Sequence, residues 1–436
     1  MNRNFEVICS VLCVAAIVMT PLSSHATDGY FSNGYGTVSK GMGGTGVALP
    51  GDAMTGATNP AGMVIVGNRF DIGMSLFNPE RQYSVKGAPS GMPGTFGLAP
   101  GTVKSGNSFF GIPHLADNHM LTPRDSFGVL IYGNGGMNTH YPASASGGMG
   151  TFYGGETGVN LSQLFVAPTY ARKVTNHLAL GVSLLLAYQN FEARGLKNFG
   201  DFDSDDTPDS LTNRGHADSF GLGGKFGLLY DVSSKLTFGS AYQTQCTMSK
   251  FHQYSDLFAG KGSFDIPASL TGGLAYKVTR RSALAFDMQY IWYSSIHSIG
   301  NPISNLMTGM QSGDPEKLLG GDNGAGFGWR DMTVYKLGYQ WEANRDWTLR
   351  TGVSYARQPI PTSEVMFNIL APGVEEWHFT AGFTKKLGHR SDFSMSIMYA
   401  PDVTVTGPNP FEVPGQQSIS LRMHQFEIEA NYGIKF

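Results

Sequence analysis

An acidic run at residues 201–210, D-F-D-S-D-D-T-P-D-S, places carboxylates at the short spacing found in calcium-binding loops. A loop of that type needs Gly at its sixth position and Glu at its twelfth, and this chain has Asp206 and Thr212 there. The run is therefore predicted to be a solvated acidic loop, with weak binding of divalent cations as the alternative. We predict neither a metal site nor a cofactor.

The histidines are the other candidates for chemistry, because a nucleophile or an attacking water needs a nearby base. They are scattered along the chain, and none lies in a recognisable nucleophile motif. We expect His114, His378 and His424 to be satisfied by neighbours in strands or in the interior. The chain is predicted not to be an enzyme, and no catalytic residue is assigned.

The composition favours a β protein with many turns. The chain has 436 residues and a net charge of −3, which gives no broad attraction to nucleic acid. Charged residues make up 14% of the chain, well below the usual quarter. Aromatic residues reach 12% and glycines number 58, whereas a disordered chain would lack the aromatic residues.

Residues 1–26 have the features of a signal peptide. An apolar stretch at 7–22 is followed by small residues that mark a cleavage site after Ala26. The two cysteines within this segment leave with it, so Cys246 has no intramolecular disulfide partner. No later apolar run approaches 18 residues, so the exported chain is predicted to lack a transmembrane helix.

Strand periodicity identifies the rest of the chain as a membrane-spanning barrel. From 178 to 188, Leu, Val and Tyr residues share one face, while Ala, Gly and Ser residues share the other. The stretches 284–292, 347–355 and 393–399 repeat this pattern, and their apolar face closes in Tyr or Trp. A soluble sandwich also alternates, but its polar face is usually charged. A small, weakly polar second face with aromatic ends is typical of outer-membrane strands.

The connections between strands alternate in length. Six are short and polar, at 119–125, 172–177, 231–235, 277–282, 342–346 and 386–391. Seven are longer and richer in Gly and Pro, around 80–107, 140–160, 195–217, 252–263, 299–326, 360–374 and 407–419. Short periplasmic turns and long external loops in this order predict an all-β fold, a 14-stranded antiparallel transmembrane β-barrel at 68–436 with both termini inside.

The chain ends in a strand whose alternate residues are apolar, up to Phe436. A terminal Phe after such a strand is similar to the signal that the outer-membrane assembly machinery reads. We therefore expect the barrel to lie in the outer membrane of a Gram-negative bacterium, in contact with lipopolysaccharide and outer-membrane lipid.

Residues 27–67 precede the first strand and are Gly-rich and nearly uncharged, so they need the barrel lumen to bury them. They contain an ordered set of motifs, Met42-Gly43-Gly44-Thr45, Asp52-Ala53 and Asn59-Pro60-Ala61. This set resembles the N-terminal hatch of the FadL-type long-chain fatty-acid and hydrocarbon transporters. The similarity spans essentially the whole mature chain, through Asn134-Gly135-Gly136, Trp329-Arg330-Asp331 and the stretch 348–361.

The resemblance implies a working mechanism. It implies a hatch that plugs the lumen and shifts to open a path, with the gating residues Gly43, Gly44, Asp52, Asn59, Pro60 and Ala61. It also implies a kink that opens the third strand sideways to the membrane, at Asn134, Gly135 and Gly136. A bulge that only packs against the plug is the alternative. The family is usually monomeric, so we expect a monomer.

The implied function is transport of hydrophobic molecules, first of all long-chain fatty acids. Uptake of aromatic hydrocarbons and general diffusion through a porin are the alternatives. Strand alternation turns four cations inward, namely Lys225, Arg330, Lys336 and Arg350. Arg194 matches, by resemblance, a basic position of the family. The candidate ligand-binding residues are cations and aromatic residues near the outer loops, namely Arg194, Lys336, Arg350, Phe109, Phe110 and Phe152.

Overall fold

A closed barrel of antiparallel strands forms the body of the molecule. The computed structural model describes residues 28–204 and 209–436. The predicted signal peptide lies outside the described residues, and so does part of the acidic run at 201–210. The sheet has sixteen strands, of which two are short additions, and the others pair in chain order until the last closes onto the first. The prediction of a 14-stranded barrel is confirmed.

Tight turns and long loops alternate between the barrel strands. The strands are β1 Arg69–Lys86, β2 Phe110–Thr122, β3 Asp125–Asn138, β4 Gly158–Lys173, β5 Leu178–Arg194, β6 Ala217–Asp231, β7 Leu236–Gln243, β8 Ser269–Thr279, β9 Ser282–Ile291, β10 Met332–Glu342, β11 Trp347–Ala356, β12 Trp377–Lys386, β13 Ser391–Pro408 and β14 Ser418–Lys435. The two additions are Gly101–Lys104, paired with β1, and Thr247–Met248, paired with β6.

The six predicted short turns all join consecutive strands, at the end of the barrel where β1 begins and β14 ends. Two outer loops are longer than predicted, because β7 ends at Gln243 and β9 ends at Ile291. They occupy 244–268 and 292–331 rather than 252–263 and 299–326. The chain leaves the barrel ladder early here and makes new local pairs, such as the bridge between Cys246 and Ile266.

The outward faces of the strands form an apolar band. In β5, Leu180, Leu184 and Leu186 are 42 to 46% exposed, whereas Leu185 and Ala187 are buried. The alternation predicted for 178–188 is confirmed, and an exposed apolar face of this kind suits lipid. Among the described residues, no helix combines the length and the apolar character needed to cross a bilayer.

Residues 28–67, which we call the hatch, pack against inward-facing residues on several sides of the barrel. The hatch contains the helices α1 Thr37–Lys40, α2 Thr55–Thr58 and α3 Met63–Val66, and the 3-10 turn Pro60–Gly62. Most of its residues are buried. The Gly-rich segment therefore gains its burial from the barrel wall, because its own short helices are too small to supply a core.

Charged wall residues anchor the hatch. Lys40 Nζ lies 2.5 Å from Glu427 and 2.6 Å from Glu429 on β14. The N–H groups of Gly46 and Val47 donate to the carboxylate of Asp287 on β9, at 2.8 and 3.0 Å. These buried charges thus meet a counter-charge or hydrogen-bond donors, which burial requires.

Wall glycines let the hatch approach the strands closely. A methyl group on Gly352 of β11 would lie 2.1 Å from the carbonyl carbon of Met42. One on Gly227 of β6 would lie 2.1 Å from Oδ1 of Asn59. Because any side chain at these positions would push the hatch away, the small inward face of the strands is the surface that receives it.

Short helices in the outer loops cover the barrel mouth. They are the helices α4 Ala145–Gly148, α5 Ala259–Gly262, α6 His297–Gly300 and α7 Ser304–Ser312, and the 3-10 turns Lys197–Phe202, His252–Tyr254, Tyr293–Ser295, Pro315–Lys317, Thr362–Glu364 and Phe367–Ile369. The largest hydrophobic cluster runs from Tyr30 in the hatch to Phe264, Tyr293 and Trp329 in these loops. The main core thus lies inside the barrel and under its loops.

The anchor at Lys40 gives a first prediction. Lys40→Met leaves Glu427 and Glu429 buried without their counter-charge, and breaking such a pair costs about 3–5 kcal/mol. We expect the hatch to loosen and the single-channel conductance in planar bilayers to rise. Lys277→Met is the matched control, because Lys277 is exposed near a short turn. Equal conductance of both variants and the unchanged protein would show that this ion pair does not hold the hatch.

Candidate functional site

An apolar pocket lies beneath the outer loops. It is partly open, and the space is bounded by hydrophobic side chains except for Gly326 and the hydroxyl-bearing Ser298. The lining residues are Val159, Phe191, Leu196, Phe199, Leu211, Leu257, Phe258, Ser298, Leu319, Ala325, Gly326, Phe327, Phe367 and Leu370. Such a lining binds a ligand by removing its apolar surface from water, at about 25 cal/mol per Å².

Packed aromatic rings form the wall of this pocket. The ring centroid of Phe199 lies 5.2 Å from the centroids of Phe96 and Phe152, and 5.6 Å from that of Phe367. The predicted ligand residue Phe152 is fully buried behind Phe199 and is not part of the lining. Phe152 thus supports the pocket wall from outside, through its edge-to-face contact with Phe199.

The third strand breaks its pairing with the second. The ladder between β2 and β3 ends at His114 and Tyr132. Beyond Tyr132, β3 keeps its pairing with β4, but the register shifts between Gly133 and Gly135. Asn134 is the extra residue, so the predicted kink is a β-bulge. The stretch of β3 after this bulge and the facing start of β2 form an unpaired region of the wall, which we call the gap.

The beginning of the hatch occupies the kink. The Ser32 N–H donates to the Asn134 carbonyl at 3.1 Å, and the Gly136 N–H donates to the Tyr30 carbonyl at 2.9 Å. A methyl group on Gly135 would lie 1.9 Å from that Tyr30 oxygen. Gly135 is therefore required by a close backbone approach, and the hatch supplies the hydrogen bonds that β2 does not.

The predicted gating residues are spread through the hatch. Asn59 donates to the carbonyls of Val47 and Leu228 at 2.6 and 3.0 Å, and its side-chain oxygen accepts from Ala61 at 3.1 Å. Pro60 begins the 3-10 turn that follows. Asn59 therefore links two parts of the hatch to β6.

The two glycines near the centre of the hatch touch other partners. The Gly43 N–H donates to the Thr380 hydroxyl on β12 at 2.7 Å. Gly44 has φ of 81°, and a methyl group there would lie 1.8 Å from the Asn33 carbonyl oxygen. The left-handed backbone and this close approach explain why Gly occupies position 44.

The predicted ligand cations have protein partners. Lys336 lies 3.0 Å from Asp28 and donates to the Asn33 carbonyl at 2.6 Å. Arg350 donates to Gln340 and Thr384. Arg194 lies 2.6 Å from Glu156 and 3.0 Å from Glu192. None of the three lines the apolar pocket.

Alternation also predicted that Lys225 and Arg330 point inward. Lys225 is indeed buried, and it donates to the Ala57 carbonyl. Arg330 is exposed and precedes β10, so its predicted inward direction is wrong. The strand begins only at Met332, and the alternation does not extend back to Arg330. The two remaining predicted aromatic residues differ in exposure. Phe109 is 67% exposed, whereas Phe110 is buried beside the gap.

The pocket lining itself was missed by the sequence analysis. Its residues come from five or more separate outer segments, including Leu211, Phe258, Phe327 and Leu370. No local spacing in the sequence predicts such a site, because the loops come into contact only when the barrel closes. The richness of the outer loops in Phe was the one available signal.

The sequence and the fold are similar to those of known proteins. The family model described as Outer membrane protein transport protein (OMPP1/FadL/TodX) matches residues 31–429. The chain belongs to this family. It is an outer-membrane transporter of hydrophobic molecules from a Gram-negative bacterium, and it is a transport channel rather than an enzyme. The membership predicted from the hatch motifs is confirmed.

Individual relatives are distant in sequence. The long-chain fatty acid transport protein of Escherichia coli O6:H1 is 22% identical over 66% of this chain and 69% of its own length. The protein of that name from Salmonella typhi is 22% identical over 68% and 73%. The Pseudomonas putida toluene transporter TodX has a TM-score of 0.65 at 19% identity, over 93% of this chain and 99% of TodX. A Pseudomonas aeruginosa FadL homologue has a TM-score of 0.67 at 13% identity, over 94% and 100%.

Asp52 of the hatch gives a prediction about pH. Burial raises the pKa of its carboxyl, the charge of Asp71 adds to this rise, and Arg69 and Arg350 oppose it; together they bring the pKa from 3.8 to about 7. Because the folded pKa lies above the unfolded one, hatch stability is full below about pH 4 and falls as the pH rises to about 7.

Hydrogen exchange of the hatch amides, corrected for the intrinsic effect of pH, measures this change. We expect less protection around residues 46–58 at pH 8 than at pH 5. Asp52→Asn should remove the difference, since it cannot ionise. Equal pH dependence in the unchanged protein and the variant would contradict the assignment to Asp52.

Proposed function

We propose that this chain takes up long-chain fatty acids by binding the acyl chain in the apolar pocket and releasing it sideways through the gap. The observation that carries the proposal is the end of the β2–β3 ladder at His114 and Tyr132, within the membrane-spanning wall. A hydrophobic ligand that leaves there enters lipid directly and never crosses a polar channel.

The energetics of binding favour a moving part. Each buried methylene of a ligand gains about 0.8 kcal/mol, before losses for immobilisation. A long acyl chain that is fully enclosed therefore binds strongly, and its release requires a change in the protein. The hatch is the proposed moving part, with Gly43, Gly44, Asp52, Asn59, Pro60 and Ala61 as the predicted gating residues.

The distribution of hatch contacts supports a small movement rather than removal of the whole plug. An axial path to the periplasm would have to displace the ion pairs of Lys40 and the two N–H bonds to Asp287. A lateral path needs only the first hatch residues, near Tyr30 and Ser32, to leave the kink. We infer that this start of the hatch moves while its centre stays anchored, so that the predicted gating residues at 43–61 hold the plug in place and do not move with the segment around Tyr30.

Aromatic hydrocarbons are the second candidate ligands. The pocket lining holds no charged side chain, so binding there does not require the ligand to carry a charge. The similarity of fold to a toluene transporter is consistent with this candidate. A general diffusion porin is disfavoured, because water and ions would need the interior that the hatch occupies.

The barrel has proposed partners in the outer membrane. Phe436, which ends the chain and is 52% exposed, is the proposed signal for the barrel assembly machinery. Lipopolysaccharide and outer-membrane lipid are the proposed neighbours of the apolar band. We expect the protein to act as a monomer.

A double substitution in the kink tests lateral release. With Gly135→Val and Gly136→Val, the side chain at 135 would collide with the Tyr30 carbonyl, and the φ of 155° at position 136 would be strained, so the kink in β3 would lose the shape that lateral release requires. We expect uptake of radiolabelled oleate, in cells lacking their own transporter, to fall to the level of cells without this protein.

Gly272→Val is the matched control, because a methyl group at this strand glycine meets no atom within 4 Å. It should leave uptake unchanged. Heat-modifiable mobility on gels shows whether each barrel has assembled. Normal uptake by an assembled double variant would overturn the lateral route.

A further inference from the structure

Arg81 of β1 spans the outer end of the gap. Its guanidinium donates to the carbonyl of Asn138, the last residue of β3, and to the carbonyl of Asn107, just before β2. The guanidinium carbon lies 5.4 Å from the centre of the Phe110 ring, which begins β2. This one side chain therefore touches both edges of the opening.

Arg81 is buried and forms no ion pair with the described residues, although the carboxylates of Glu80 and Asp402 lie in the same region. Its side chain is 5% exposed, and no carboxylate among the described residues lies within ion-pair distance. Its Nε is buried and has no hydrogen-bond partner in the described part of the chain. The buried cations Lys40, Arg69 and Lys336 by contrast each have an acidic partner, whereas Lys225, like Arg81, donates to a backbone carbonyl. A buried cation without an ion-pair partner lowers the stability of the fold unless an anion pairs with it.

An apolar cluster separate from the main core lies beside Arg81. It consists of Phe77, Phe110, Met398 and Ala400, with Ile112 packed against it. These residues face the interior on β1, β2 and β13, next to the gap. A cation above an apolar surface matches the two ends of an amphipathic carboxylic acid.

We propose that Arg81 binds the carboxylate of the ligand at the outer rim of the gap, while the acyl chain lies on this apolar cluster. The inference rests on the lateral release proposed above, and it names the ligand as an anionic amphiphile. Arg has five N–H donors in a fixed fork, and the two carbonyls leave donors free. Nε and a neighbouring terminal nitrogen form an edge that pairs with both carboxylate oxygens.

Two ligands that share one chain test this role. Oleate carries a carboxylate and oleyl alcohol does not, so only oleate gains the charge-assisted bond. We expect Arg81→Gln to lower the uptake of oleate about tenfold, as loss of such a bond implies. It should leave the uptake of oleyl alcohol unchanged, and Arg81→Lys should restore most of the oleate uptake.

Arg280→Gln, at an exposed turn, is the control and should change neither uptake. An equal fall in the uptake of both ligands in Arg81→Gln would show that Arg81 only holds the ends of the strands together, and would overturn the inference. Uptake of the alcohol but not of oleate by the unchanged protein would overturn it together with the choice of fatty acids as ligands, and would leave lateral transport of an uncharged ligand standing. Uptake of neither ligand would refute the proposed function and this inference with it.

A measurement on the unaltered protein does not depend on folding of the variants. Oleate labelled with ¹³C at the carboxyl carbon reports its own titration by nuclear magnetic resonance. Bound beside Arg81, the carboxyl should titrate at a lower pH than it does in detergent micelles alone. Titration at the micellar pH with ligand bound would contradict the contact.

Discussion

The pairing of buried charges between wall and hatch is the interaction on which the rest of the structure depends. Lys40 meets Glu427 and Glu429, and Asp287 accepts two N–H groups from the hatch. Each anchor would be unstable if the hatch withdrew, because an unpaired charge would stay in the interior. We propose that a plug held in this way stays in place while a ligand passes, and the ligand then needs a path through the wall.

In the proposed route the kink in β3 supplies that path, because part of the strand exchanges its hydrogen-bond partners. After Tyr132 the strand no longer pairs with β2, and its free N–H and C=O groups bond to Tyr30 and Ser32 instead. A backbone that is satisfied by a short hatch segment exchanges partners more easily than one held in a full ladder. In the proposed route the cost of opening is therefore confined to a few hydrogen bonds, while β3 keeps its pairing with β4.

The strand pattern could be predicted from the sequence because alternation and turn length are local. Leu180 to Leu186 and the six tight turns needed no knowledge of distant contacts. The pocket could not be predicted, since Phe199, Phe327 and Leu370 meet only through the fold. Alternation showed that Lys336 and Lys225 point inward, but their hatch partners Asp28 and Ala57 come from a segment without strand periodicity. Arg81 could not be predicted from the sequence, because its proposed role depends on where two neighbouring strands separate.

Photo-crosslinking during transport tests the lateral route most directly. A photoreactive residue at Ile112, whose Cγ2 lies 3.1 Å from the side-chain position of Gly133, samples the gap. One at Ile65, which is 49% exposed just before β1, samples the periplasmic end of the hatch. With radiolabelled oleate in working cells, lateral release predicts labelling at Ile112 and none at Ile65 above background. Labelling at Ile65 and none at Ile112 would show that the ligand passes along the barrel axis, and would contradict the account.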